Sequence, residues 1–134
     1  MKYLLDTNTC IRLINGRSPQ LRQRLLTISV EDVAVCSIVK AELFTGSAKS
    51  QTATKTLAMQ QKFLQSFKSL PFGDIEAQVY ATLRAQLEKA GTPIGPMDML
   101  IAAIALANNL ILITHNTGEF ARVSGLPIED WEIS

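Results

Sequence analysis

Cysteine and histidine are scarce in this chain of 134 residues: Cys10, Cys36 and His115 are all it has. The cysteines are far apart and form no Cys-x-x-Cys pair, which argues against a zinc site and against a redox-active dithiol. Each reads as a small buried hydrophobe. Long apolar runs are missing as well. The richest stretches, Val33 to Cys36 and Met99 to Ala107, are too short or too alanine-rich to cross a hydrocarbon layer of roughly 30 Å, so no transmembrane helix is expected. The N-terminus turns polar at Asp6, too early for the apolar core of a signal peptide. A cytoplasmic location is the resulting expectation, and thiols stay reduced there. Repeats and low-complexity tracts are absent, and the length suits one domain over residues 1–134 with a single substantial core.

Net charge is also low, at +1, but the total conceals an asymmetry. Residues 1–68 carry ten Lys/Arg against four acids, a balance of +6, whereas residues 69–134 carry three against eight, a balance of −5. Two readings stand. The basic half is a surface for a polyanion such as RNA, or its charges, Arg22, Arg24, Lys55 and Lys62 among them, solubilise helix faces.

What the chain does have is a regular alternation of strand and helix patterns. Tyr3 to Leu5 is a short apolar run that ends in Asp6-Thr-Asn-Thr, a cluster that stops strands and caps helices. Cys10, Ile11, Leu13 and Ile14 give the next segment an apolar helical face, and Asn15-Gly16 ends it. A second helix opens at Ser18-Pro19, with Leu21, Leu25 and Leu26 expected to face inward. Val33 to Cys36 reads as a strand covered on both faces, as in parallel sheets. Ser37 opens the helix carrying Glu42, and Gly46 is expected to end or kink it. Gln51 to Phe67 is helical with Leu57, Leu64 and Phe67 on its apolar side, a face for the core or for a partner. Ser69 to Phe72 is a weak strand, and Ile75 to Ala90 an amphipathic helix stopped by Gly91. Gly91 to Pro96 is loop-like and leads into a helix from Met97 to Ala107. Leu110 to Thr114 is a strand, His115 to Phe120 a polar turn, and Pro127-Ile128 the last apolar piece, with Trp131 and Ile133. This order predicts an α/β layered fold on a mostly parallel sheet.

Ligands of open parallel sheets bind beyond the carboxyl ends of the strands, and three acids fall there. Asp6 follows the first strand, Glu42 lies about a turn into the helix after Val33 to Cys36, and Asp98 is in the first turn after Pro96. If the first strand is central, they converge. Taken singly, Asp6 is also a helix cap, Asp98 a favourable charge at a helix N-terminus worth about 0.3–1 kcal/mol, and Glu42 an exposed helix residue. Gathered, they repel one another, and a divalent cation resolves the conflict. Oxygen ligands without His or Cys select Mg²⁺ or Mn²⁺ over zinc. Mg²⁺ completes its shell with waters and substrate phosphates, which points to phosphodiester chemistry with a metal-activated water.

These residues resemble the PIN-domain ribonucleases, especially the VapC toxins of bacterial type II toxin-antitoxin systems. Tyr3 to Asn8 resembles the family's opening strand and first metal-binding Asp; Ser37 to Leu43 its second motif; Pro96 to Ala103 its third. Thr114 to Phe120, followed by Gly125-Leu126 and Trp131, resembles its closing segment. The resemblance implies a three-layer α/β/α sandwich around a five-stranded parallel sheet, a homodimer, and Mg²⁺- or Mn²⁺-dependent endonucleolytic cutting of structured RNA, tRNA in many relatives. It also implies a cognate VapB-type antitoxin that blocks the site. Asp6, Glu42 and Asp98 carry over as metal ligands. Many relatives have an Asp where this chain has Asn116, so the fourth wall falls to Asn116 or to Glu119. Thr7 and Thr114 either orient metal waters or cap turns; Lys40 and Arg12 either touch RNA phosphates or are solvated; His115 is a candidate base that metal activation makes unnecessary.

Two other classes compete with this reading. A phospho-acceptor domain needs a Lys at the end of a late strand, where this chain has Thr114-His115-Asn116. A catalytically silent PIN-like module that binds RNA or protein would not need all three acids.

Overall fold

The structure, a computed structural model, describes residues 1–133. Five strands form one all-parallel sheet in the order β3-β2-β1-β4-β5: β1 Tyr3–Leu5, β2 Val33–Cys36, β3 Lys68–Leu70, β4 Ile111–Ile113 and β5 Ile128–Glu129. The first strand in sequence is therefore the middle strand in space. Leu4, Leu5 and all of β2 are fully buried, as strands with both faces covered must be.

Seven helices connect the strands: α1 Thr7–Asn15, α2 Pro19–Leu26, α3 Ser37–Ala48, α4 Ala53–Leu64, α5 Asp74–Ala90, α6 Pro96–Ala107 and α7 Thr117–Phe120. Local chemistry accounts for their ends. Ser18 caps α2 by accepting the Leu21 amide at 3.3 Å, with Pro19 at the first helical position. Gly16 closes α1 in the left-handed region, at φ 66°, where a side chain would be strained. Helix α6 is apolar nearly all round: Met99 and Ile101 to Ala105 are buried, which marks a helix enclosed on several sides. It packs against α5, α3 and β4 and so fixes the direction of its own first turn.

The expected elements occur in the expected order, with local corrections. Leu26 is 74% exposed, not inward-facing. Helix α2 has only eight residues and docks through Leu21, with Leu25 half-buried; Leu26 lies a further ~100° round the helix. Gly46 neither ends nor kinks α3, which runs on to Ala48 with Thr45 Oγ1 donating to the Ala41 carbonyl at 2.7 Å. The weak strand begins at Lys68, one residue before Ser69, and ends at Leu70. It is an edge strand with a single buried side chain, too few to mark a period. Within the polar turn after β4, Thr117–Phe120 forms a helical turn anchored by the buried Phe120, and Ile133 is exposed. The helix expected over Gln51 to Phe67 is shorter, Ala53–Leu64; Leu64 is in the core and Phe67, just beyond α4, packs against it, while Leu57 is only half-buried.

Leu112 is fully buried on β4, beside the central strand. Leu112→Ala is expected to cost about 2–5 kcal/mol, whereas Leu26→Ala stays within about 0.5 kcal/mol. Urea unfolding with an unchanged m-value checks both; equal losses would contradict the placement of the core.

Candidate metal centre

The chain leaves β1 directly into Asp6, whose amide donates to the Ile113 carbonyl of the neighbouring β4 at 3.1 Å. Asp6 is thus fixed by the sheet before its side chain does anything. The carboxylate caps α1, accepting the Thr9 amide at 2.8 Å, while the Thr9 hydroxyl donates to the Ile113 carbonyl at 3.1 Å. Asp6 is only 4% exposed. Burial raises its pKa, the neighbouring Thr114 and Thr9 polar groups pull it back, and the charge of Glu132 adds a smaller upward push.

Glu42 arrives from α3 and is held by the next residue after Asp6: Thr7 Oγ1 donates to Glu42 Oε1 at 2.5 Å. Asp98, the third residue of α6, meets Glu119 of α7. Its pKa is pushed up to about 7, first by burial, then by the hydrogen bond and charge of Glu119, then by the charges of Glu42 and Asp6. Glu119 is held low instead, chiefly because the Gly95 amide donates to Oε1 at 2.7 Å, and also because Asn116 Nδ2 donates to Oε2 at 2.7 Å. Burial and the neighbouring carboxylates thus favour the protonated form of Asp98, while hydrogen bonds favour the charged form of Glu119.

Glu119, Glu42 and Asp6 thus all act electrostatically on Asp98, beyond the carboxyl end of β1. Asn116 and Glu119 do not compete for one position: the amide of Asn116 orients the carboxylate of Glu119. Thr7 and Thr114 also have partners here. Thr7 serves Glu42, while Thr114 serves Asp6 and accepts the Asn116 amide at 3.0 Å.

A second group escaped sequence reading. His115, Asp130 and Glu132 have ligating atoms all within 4.8 Å of one another, a spacing that Asp6, Glu42 and Asp98 do not meet among the described residues. His115 Nδ1 lies 2.8 Å from Asp130 Oδ2, and Arg12 is ion-paired with Glu132. A turn brings the two acids together: Trp131 is buried, and the Glu132 amide donates to Asp130 Oδ1 at 2.9 Å.

The raised pKa of Asp98 has a defined effect on stability. The folded state binds the proton more tightly than the unfolded chain, whose value is 3.8. The stabilisation is thus complete below about pH 4 and is lost as pH rises through about 7. In EDTA, the melting temperature of the protein should fall relative to that of Asp98→Asn between pH 5 and pH 8, and Mg²⁺ should suppress the fall. A pH-independent difference would contradict the crowding.

The PIN domain model matches residues 3–126. A tRNA(fMet)-specific endonuclease VapC of Salmonella typhimurium is 36% identical over 132 residues, covering 98% of both chains. Ribonuclease VapC2 of Rickettsia felis is 35% identical, covering 98% of this chain and 99% of its own. The crystal structure of DNA-bound VapBC from Salmonella typhimurium superposes with a TM-score of 0.93 at 35% identity over 98% of both chains. That of VapBC2 from Rickettsia felis, bound to a promoter DNA fragment, superposes with a TM-score of 0.92 at 35% identity, over 98% and 99%. With a family match across most of its length and relatives of this identity spanning it almost end to end, the chain belongs to the PIN-domain family, in its VapC ribonuclease branch.

Proposed function

We propose that residues 1–134 act as a single nuclease domain, the toxin of a type II toxin-antitoxin pair, cutting structured RNA endonucleolytically with Mg²⁺ or Mn²⁺ held by Asp6, Glu42, Asp98 and Glu119. The observation that carries this reading is the gathering of Asp6, Glu42 and Glu119 about the half-buried Asp98, whose pKa burial and those neighbours raise. An all-oxygen set of this kind suits a hard divalent cation, which binds the deprotonated carboxylates. When bound, the cation supplies an activated water and stabilises charge on the phosphoryl oxygens.

The chain's own groups do the positioning. Thr9 fixes Asp6, Thr7 fixes Glu42, and the Gly95 amide with Asn116 fixes Glu119. Those three carboxylates are thereby oriented before substrate arrives, which lowers the reorganisation needed in the transition state. His115 is engaged with Asp130 and is given no role in proton abstraction.

The named specificity of the Salmonella relative supports tRNA as the substrate class, and the VapBC complexes support a VapB-type antitoxin that covers the site. No helix among the described residues is long and apolar enough to cross a membrane, in keeping with action on cytoplasmic tRNA. A homodimer is proposed as the working form.

Incubation of the purified protein with total tRNA should yield 5′-phosphate and 3′-hydroxyl ends in Mg²⁺ and nothing in EDTA. Asp6→Ala and Asp98→Asn should each lose about 10²-fold or more, and Asn116→Ala less, because it acts through Glu119. Equal cleavage by the variants would overturn the assignment. Metal binding without any cleavage would favour a silent binding module.

A further inference from the structure

An all-carboxylate centre attracts cations and repels the polyanion it is proposed to cut, so RNA needs a cationic foothold close by. The structure has one. A cleft of about 410 Å³ is lined by Asn8, Arg12, Asn15, Arg17, His115 and Asn116, with the exposed Ile11 as its one apolar residue. Its inner wall is shared with the acidic centre: Asn8 is two residues from Asp6, and Asn116 is the residue that orients Glu119.

The cations in this cleft are not equivalent. Arg12 is tethered by its Nε to Glu132, whose side chain is only 6% exposed, while 43% of the Arg12 side chain remains accessible. His115 is tethered to Asp130 at 2.8 Å. Both contacts fix direction, and the Arg12 pair also cancels charge. Arg17 differs: it is exposed, sits just beyond Gly16 at the C-terminus of α1, and makes no ion pair among the described residues. Its charge is favoured at a helix C-terminus, and its fork geometry matches a phosphate. Asn8 and Asn15 add amides that both donate and accept, as base edges and ribose hydroxyls require. Such a lining disfavours a metal ion.

Resting on the ribonuclease reading, we propose that this cleft is the subsite for a nucleotide flanking the scissile bond. Arg17 clamps its phosphate, and Asn8 and Asn15 contact its sugar or base. Arg17 is a positioning residue here, so it governs substrate binding and not the chemical step.

The test uses fluorescently labelled tRNA and the full chain carrying Asp98→Asn, with and without Arg17→Ala, in Mg²⁺. Arg17→Ala should weaken binding about tenfold and lower the slope of log Kd against log salt by about 1. Arg17→Lys should restore part of the affinity, Lys89→Ala on α5 should change nothing, and the melting temperatures should match. In the otherwise unmodified protein, Arg17→Ala should raise KM with kcat within about threefold. Unchanged affinity and slope would overturn the proposal, as would a loss confined to kcat, or a loss of antitoxin binding with tRNA affinity intact. If the parent does not cleave yet the affinity difference persists, the ribonuclease reading fails and the cleft stands as an RNA site. No tRNA binding by either chain would overturn both.

Discussion

Repulsion among carboxylates is the interaction around which this molecule is arranged. Asp6 is buried at the end of the central strand, where a negative charge is least well solvated and is felt most strongly by its neighbours. Glu42 and Glu119 are brought up to it by α3 and α7, and Asp98 by the first turn of α6. The fold does not relax this crowding by letting the acids swing outward: hydrogen bonds hold Asp6, Glu42 and Glu119, and core packing holds the helix that carries Asp98. Protonation of Asp98 is the relief open to the chain alone, and a divalent cation is the more complete one.

The strain is sustained by apolar packing elsewhere. Helix α6 is anchored by a run of buried residues from Ile101 to Ala105, so its N-terminus, with Asp98, is fixed by the core and not by the site. β1 is bracketed by β2 and β4, which fixes Asp6 in the same way. The cap formed by Asp6 shows the economy of this design: the residue that starts α1 is also the residue around which the carboxylates collect. Capping and ligation are compatible, because a carboxylate has more lone pairs than the single amide of Thr9 uses.

Sequence reading recovered the elements that follow strong periodicity or end in strong punctuation. It placed β1, β2, α5 and α6 within a residue or so, and it placed Asp6, Glu42 and Asp98 at strand ends or first turns because the parallel-sheet rule says where to look. It failed where side chains are decided by tertiary context. Leu26 looks inward by composition but belongs to a helix too short to bury two faces. Gly46 looks like a stop, yet α3 continues because its neighbours pack beneath it. The relation of Asn116 to Glu119 was posed as a choice because a sequence does not reveal that an amide can serve a carboxylate three residues away. Asp130 and Glu132 were invisible for a related reason: their partners, His115 and Arg12, are 15 and 120 positions distant.

Those distant pairs also bear on the charge asymmetry of the chain. The basic first half and acidic second half are not simply segregated on the surface, since Arg12 is paired with Glu132 and Arg24 lies 3.7 Å from Glu129. Part of the +6 carried by residues 1–68 is therefore spent inside the molecule, on fastening the C-terminal segment to α1 and α2. Arg24, expected to be a solvated helix charge, instead lies against Glu129 and Trp131. What remains for a polyanion is not the whole half but those cations without an internal partner that border the acidic centre. Arg17 meets both conditions. The C-terminal acids, by holding Arg12 and His115 in place, give the cleft beside it a fixed shape at the expense of net charge.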